Sequence, residues 1–221
     1  MNAPMPRTRR KDAKDVSESA SSRAVLDAAH RLFLKAGFDG VNLEQVGRAA
    51  GVSRQTVYNL FGSKEAVFHE VMKRHWDTVR RETASAFAAV KQTPTSPAAC
   101  LRSFARALLR FVEETDQVAF TRLVIAESRQ RQWIADEFYR CGKEPIVEGF
   151  AAALAAMARQ GMIACAQPEL AAHQFMGLVQ EFVIWPRVMA IGKGVAELPD
   201  NDLVIEEAIA MFLSRYGLHR R

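Results

Sequence analysis

Arg54, Gln55, Thr56, Tyr58 and Asn59 sit together in one short run and, at helical spacing, fall on the side opposite Val57, Leu60 and Phe61. These are side chains that read DNA. Arg and Gln can hydrogen-bond base edges bidentately, Thr offers a hydroxyl and a methyl, and Tyr and Asn can bond phosphates or bases. A plain solvated helix face has a similar polarity, so the chemistry depends on what positions these residues. Ser53 supplies an N-cap in front of them, and Gly51 breaks the chain just before that cap. Ahead of the glycine, Leu43, Val46 and Ala50 repeat at i, i+3 and i+7, the buried side of a second short helix. Asn42, with Gln45 three residues on, makes a capping-box-like start for that helix. Two short helices joined by a tight glycine turn form a helix-turn-helix.

The surrounding residues resemble the TetR family of one-component transcriptional regulators. The match runs from Ala24 to about Phe68: an amphipathic first helix ending Ala36-Gly37-Phe38, then Ala50-Gly51-Val52-Ser53, Thr56-Val57-Tyr58, Phe61, and Ser63-Lys64-Glu65-Ala66 leading into a long fourth helix. The resemblance implies base contacts from Arg54, Gln55, Thr56 and Asn59, and phosphate contacts from Tyr58, Lys64 and Asn42. It also implies repression as the sign of control. Two positions depart from the family's pattern. Gly47 stands where alanine is common, at a helix-propensity cost of roughly 1 kcal/mol. Gln55 stands where glycine is frequent, which places a base-reading side chain where family members let the backbone approach DNA.

Composition is in keeping with this. The chain has 221 residues, 49% hydrophobic and 25% charged, ordinary for a globular protein. Residues 1 to 66 hold 11 Lys+Arg and 7 Asp+Glu, a balance of +4, whereas the remainder holds 19 and 18, a balance of +1. The excess therefore lies with the helix-turn-helix. Much of it is in Arg7-Thr8-Arg9-Arg10-Lys11, within a leading segment too poor in apolar residues to fold alone. Such an arm could track phosphates or enter a minor groove, or serve only as a solubilising tail. No apolar run is long enough for a membrane span and no secretory leader is visible, so a cytoplasmic location is expected.

An all-α fold is expected, divided into a basic disordered arm (1–20), the DNA-binding domain (21–66) and a ligand-binding and dimerisation domain (67–221). A first helix over Ser22 to Ala36 is expected to bury Val25, Ala29, Leu32, Phe33 and Ala36. Ser63 caps a fourth helix running from Lys64 to about Val90. Thr93-Pro94-Thr95-Ser96-Pro97 marks a break, and Ser96-Pro97 starts a fifth helix. Arg102, Arg106 and Arg110 give that helix a basic ridge that reads as a solvated face. Further helices are predicted at about Ala119 to Arg129, Ile134 to Gln160, Pro168 to Val188 and Asp202 to Tyr216, with Pro145 and Pro186 kinking two of them.

The C-terminal stretch Phe120 to Glu127, with Phe138-Tyr139 and Gly161-Met162-Ile163, is similar to AcrR-like and AefR-like ligand domains. That likeness implies a pocket for a small apolar or amphipathic effector. Most of this half's bulky residues must be core; Trp76, Phe104, Leu108, Phe111, Phe120, Val124, Phe138, Phe150 and Phe182 are the pocket candidates. The last two long helices are too apolar for one-sided burial. Phe175, Leu178, Val179 and Phe182 in one, and Ile205, Ile209 and Phe212 in the other, are expected to build an isologous homodimer interface. Pairing also answers a need at the DNA, because two reading helices about 34 Å apart meet successive major grooves of a near-palindromic operator in double-stranded DNA.

No catalytic site, cofactor or metal is expected. The five histidines form no HExxH or paired ExxH pattern, Cys100, Cys141 and Cys165 are widely spaced, and no GxSxG, Walker or GxGxxG motif occurs. The competing class is a ligand-independent or architectural DNA-binding protein, against which the size of the apolar C-terminal half speaks.

Overall fold

The computed structural model describes residues 19–92, 96–191 and 198–218, with side chains at 78–79 and 82–92 left aside. The basic segment Arg7 to Lys11, the Phe87 side chain and Thr93 to Thr95 of the expected break lie outside the described residues. Everything described is helical apart from connections and one isolated antiparallel bridge, Ile163 to Gly217.

The N-terminal helices follow their caps. Helix α1 (Ala20–Ala36) starts on Ser19, whose Oγ accepts the Ser22 N–H at 3.1 Å, and ends where the Gly37 N–H bonds Phe33 O. Helix α2 (Leu43–Ala49) carries the full capping box, with Asn42 and Gln45 each bonding the other's backbone N–H. Helix α3 (Arg54–Phe61) is capped by Ser53, and α4 (Lys64–Gln92) by Ser63. Val25, Ala29, Phe33, Val46, Val57 and Phe68 close a small core between them. That core extends beyond the sequence-predicted boundary at residue 66: Val71 and Met72 of α4, and Phe120, Leu123, Val124 and Ile134 further along, belong to it.

The larger half packs α5 (Pro97–Glu114), α8 (Glu144–Arg159), α9 (Pro168–Val183) and α11 (Asn201–Tyr216) around a second core of Phe104, Phe150, Phe175, Leu154, Met157 and Ile205, while α6 (Gln117–Ser128) and α7 (Gln132–Phe138) turn their buried apolar residues to the first core and α10 (Trp185–Val188) lies against α6 and α9. The helix expected over Ile134 to Gln160 is interrupted. Residues Tyr139–Lys143 form a π turn, in which the Glu144 N–H reaches Tyr139 O, and α8 restarts with Pro145 in its first turn. Proline has no N–H for the α ladder, and the wider turn passes the chain across that gap. Pro186 acts likewise: α9 stops at Val183, and α10 begins with that proline in its first turn. The Arg102–Arg110 ridge is partly paired, Arg102 with Glu206 at 2.5 Å and Arg106 with Asp202 at 3.2 Å, which fastens α5 to α11.

Candidate nucleic-acid interface and effector cavity

Val57 is fully buried and pins α3 to its domain, which leaves Arg54, Gln55, Tyr58 and Asn59 exposed and Thr56 half-buried. Gln55 Nε2 donates to Asn59 Oδ1 at 2.8 Å, so the two amides are held as one polar unit along the helix. The Thr56 hydroxyl lies 2.9 Å from the cap oxygen of Ser53. Leu60, expected on the inner side, is 42% exposed; it lies at the flank of this short helix, beside a groove shared with Leu26, Phe61 and His69. Gly47 has a packing reason: a Cβ there would stand 2.9 Å from Val52 O, so its absence lets α2 close onto the turn before α3.

Lys64 and Asn42 have structural partners of their own. Lys64 Nζ donates to Phe38 O at 2.9 Å and stands 4.3 Å above the Phe38 ring. Two of its three N–H donors are left. Asn42 Oδ1 is taken by the capping box, which leaves its NH₂. Both residues border a groove with Arg54, Val41, Leu43 and Glu44, so two cations share one edge of the helix-turn-helix.

A cavity of about 250 Å³ opens in the larger half. Of the expected pocket residues it brings together Trp76, Leu108, Phe111, Val124 and Phe138. The other four lie elsewhere. Phe104 and Phe150 stack on each other at 3.9 Å in the solid core, Phe120 is fully buried against His75 at 4.4 Å, and Phe182 is 44% exposed on α9. Apolar spacing reveals that a helix face is buried, and does not reveal whether its neighbour is a side chain or a hollow. Sequence reasoning missed Ile125, Ile146, Met176, Ile184 and Trp185, and also the wall's polar groups Gln117, Thr121, Lys143 and Gln180. Gln117 and Thr121, one turn apart in an otherwise apolar stretch, were the available signal. Trp76 reaches the wall because residue 142 is glycine: a Cβ there would come within 2.2 Å of the indole.

The polar wall continues into the DNA-binding half. Gln117 Nε2 donates to Thr121 Oγ1 at 2.9 Å, so its carbonyl accepts from His75 Nε2–H at 2.8 Å. That bond fixes the neutral His75 tautomer. Burial pushes the His75 pKa down to about 4, against the opposing pull of the Gln117 hydrogen bond. His30 of α1, 6.0 Å from His75 between ring centroids, is lowered for the same first reason.

Helix α6 carries the cavity wall at one end and a latch at the other. Glu127 Oε1 accepts the Phe38 N–H at 2.8 Å, just after α1. Arg131 bonds Glu127 at 2.9 Å and Asp39 at 2.5 Å, with its guanidinium 5.0 Å from the Phe38 ring. Trp133 adds an edge contact to Phe38. The turn between α1 and α2 is therefore gripped by residues at the far end of the helix that lines the cavity.

The residues expected at a dimer interface divide differently. Phe175, Val179, Ile205, Ile209 and Phe212 point into the protomer's own core, because α9 and α11 pack against each other and against α5 and α8 with those faces. Leu178 is half-buried and Phe182 exposed. The outer faces carry Leu170, Gly177, Leu203, Ala210 and Met211. Both helices are thus apolar on the side turned away from the core as well as on the side turned into it. Among the described residues no helix is long and apolar enough to cross a membrane.

Comparison with known proteins agrees with both halves. The profile of the AefR-like transcriptional repressor C-terminal domain matches residues 99–218, and that of the bacterial regulatory proteins of the tetR family matches residues 25–71. Over 80 residues the chain is 36% identical to the HTH-type transcriptional regulator RutR of Escherichia coli K12, covering 34% of this chain and 38% of RutR. The match thus spans well under half of that relative. The fold is shared with a TetR-family regulator structure from Mesorhizobium loti, at a TM-score of 0.81 and 23% identity over 92% of this chain and all of that one. The flavonoid-responsive regulator FrrA superposes with a TM-score of 0.71 at 28% identity, covering 90% of this chain and 98% of its own. Helix-turn-helix, helical ligand domain and both profiles converge: the chain belongs to the TetR family of helix-turn-helix transcriptional regulators, whose members bind DNA and function as dimers.

Proposed function

We infer that the protein is a homodimeric repressor released from a near-palindromic operator by a small, largely apolar effector, acting in the cytoplasm. The observation that carries this reading is the double duty of α6, with Gln117, Thr121, Val124 and Ile125 at the cavity and Glu127 on the DNA-binding half. A compound that fits only a displaced α6 pulls on the α1–α2 turn, and its differential affinity for the two arrangements sets how far the equilibrium moves. The apolar wall with a few amides, a hydroxyl and a lysine suits a compound with one or two polar groups. A planar phenol is the first class to try, given the response that FrrA's name reports for that regulator.

At the DNA, Arg54, Gln55, Thr56 and Asn59 read bases, and Tyr58, Lys64 and Asn42 hold phosphates. Gln55 and Asn59, already joined, act as one recognition unit. The dimer forms through the outer faces of α9 and α11, where Leu170, Leu203 and Met211 are exposed and open space over Gly177 admits a facing helix. Leu178 and Phe182 flank that face.

The test is linkage. A flavonoid that occupies the cavity should raise the melting temperature and lower operator affinity together. A compound that raises the melting temperature while leaving operator affinity untouched would refute effector release. Glu127→Ala should leave the rise in melting temperature and cut the coupling, about 5- to 150-fold in the wild type, toward unity; undiminished coupling would remove the latch from the account. Lys64→Ala should weaken binding evenly across sequences and reduce the slope of log affinity against log salt by about 1, whereas Tyr58→Phe, which removes a neutral hydroxyl, should weaken it evenly and leave the slope unchanged. Arg54→Ala or Gln55→Ala should instead cost about 1–3 kcal/mol at particular base positions. An unaltered selected-site pattern in both would contradict base reading by α3.

A further inference from the structure

We propose that His69, Glu137 and Cys141 form a zinc site that joins α4 to the π turn. His69 lies on α4, Glu137 on α7 and Cys141 in the π turn, and one ligand atom from each falls within 4.8 Å of the others. The centre is Glu137, 7% exposed: its Oε1 takes His69 Nε2 at 2.7 Å and Cys141 Sγ at 2.7 Å. A single carboxylate oxygen thus accepts two hydrogen bonds, from an imidazole N–H and a thiol. A cation replaces both. Glu137 Oε2 is meanwhile held by Arg140, which leaves Oε1 as the ligating oxygen.

The donor set selects the metal. Sulfur, nitrogen and oxygen together suit zinc, whereas magnesium and calcium take oxygen donors. Zinc bond lengths of about 2.0–2.3 Å place tetrahedral donors roughly 3.3–3.7 Å apart, so the two 2.7 Å contacts need only a small opening. Glu70 Oε1 stands 3.6 Å from the other nitrogen of His69, Nδ1, beyond hydrogen-bond distance. Once the proton has moved to Nδ1, a small closure would let that carboxylate accept it, as carboxylates behind metal-bound histidines do. On binding, the thiol loses its proton to solvent, the imidazole proton moves to Nδ1, and no electron is transferred. Thiolate and carboxylate neutralise the dication, and water takes the fourth position from the exposed side of His69, which is 39% accessible. π turns of this kind recur at functional sites.

The test uses the full chain, stripped with a chelator and titrated with zinc alone, then with cobalt as a coloured substitute. One zinc per chain should bind and raise the melting temperature, and cobalt should show tetrahedral d–d bands with a thiolate-to-metal charge-transfer band. Cys141→Ser should abolish that band, and it and His69→Gln should each weaken zinc by more than roughly tenfold, while Cys165→Ser changes neither. In the wild type, zinc should also protect Cys141, and not Cys165, from alkylation by iodoacetamide, a reading that needs no variant to fold. Absence of stoichiometric zinc, or binding with no protection of Cys141 and no thiolate band, would overturn the site and leave Glu137 as a charge hub.

Discussion

Phe104→Ala or Phe150→Ala should lower the unfolding free energy by about 3–5 kcal/mol, the range for emptying a solid aromatic core. Both rings are fully buried, stack at 3.9 Å and touch Phe175, so truncation leaves a void that neighbours cannot fill without breaking other contacts. Leu108→Ala, at the cavity wall, should cost nearer the lower end of the range for such truncations, about 2 kcal/mol, because one side of Leu108 already faces a hollow. Urea unfolding followed by far-ultraviolet circular dichroism, at one fixed protein concentration because subunit association adds to stability, measures both. A loss below about 1 kcal/mol for Phe104→Ala would mean that the ring lines space rather than core. The contrast separates the two groups that apolar spacing cannot distinguish.

Acid should destabilise the protein well before its carboxylates protonate. The His75 pKa falls from 6.5 in an open chain to about 4 when buried. Above 6.5 both states are neutral at this residue and it contributes no pH dependence. Between 6.5 and 4 the unfolded chain binds the proton and the folded one does not, so stability falls with pH; below 4 the loss is complete. The shift amounts to about 3 kcal/mol in total, about 2 kcal/mol of it by pH 5. His30, lowered by burial as well, adds loss of the same sign. In His75→Gln a side-chain amide keeps a donor for Gln117, and the fall between pH 7 and pH 5 should shrink by about 2 kcal/mol. An unchanged slope would show that His75 is solvated.

The DNA-binding half was legible because its signals are local. Ser53, Asn42 with Gln45, and Gly51 act within a few residues of where they stand, and each does what its type predicts. The cavity was legible only in part. Leu108 and Phe104 share one apolar stripe of α5, yet one meets a hollow and the other a ring, a difference made by α8 and α9 rather than by α5. The two sides of α9 illustrate the same limit: Phe175 and Leu170 are both apolar, and the packing of α8, α11 and α5 decides which is turned inward. Glu127 with Phe38, and His69 with the Glu137–Cys141 pair, are assembled by the fold across long stretches of chain, so no spacing rule announces them.

Selection of bound sequences from random duplex DNA by the purified protein, at one fixed salt concentration, tests the central claim most directly. The account predicts recovery of a near-palindrome whose half-sites lie about one helical turn, or a multiple of it, apart, with preferences that Arg54→Ala and Gln55→Ala alter at defined positions. Retention that is salt-sensitive and indifferent to sequence would contradict it, and would leave the helix-turn-helix as a general grip on DNA.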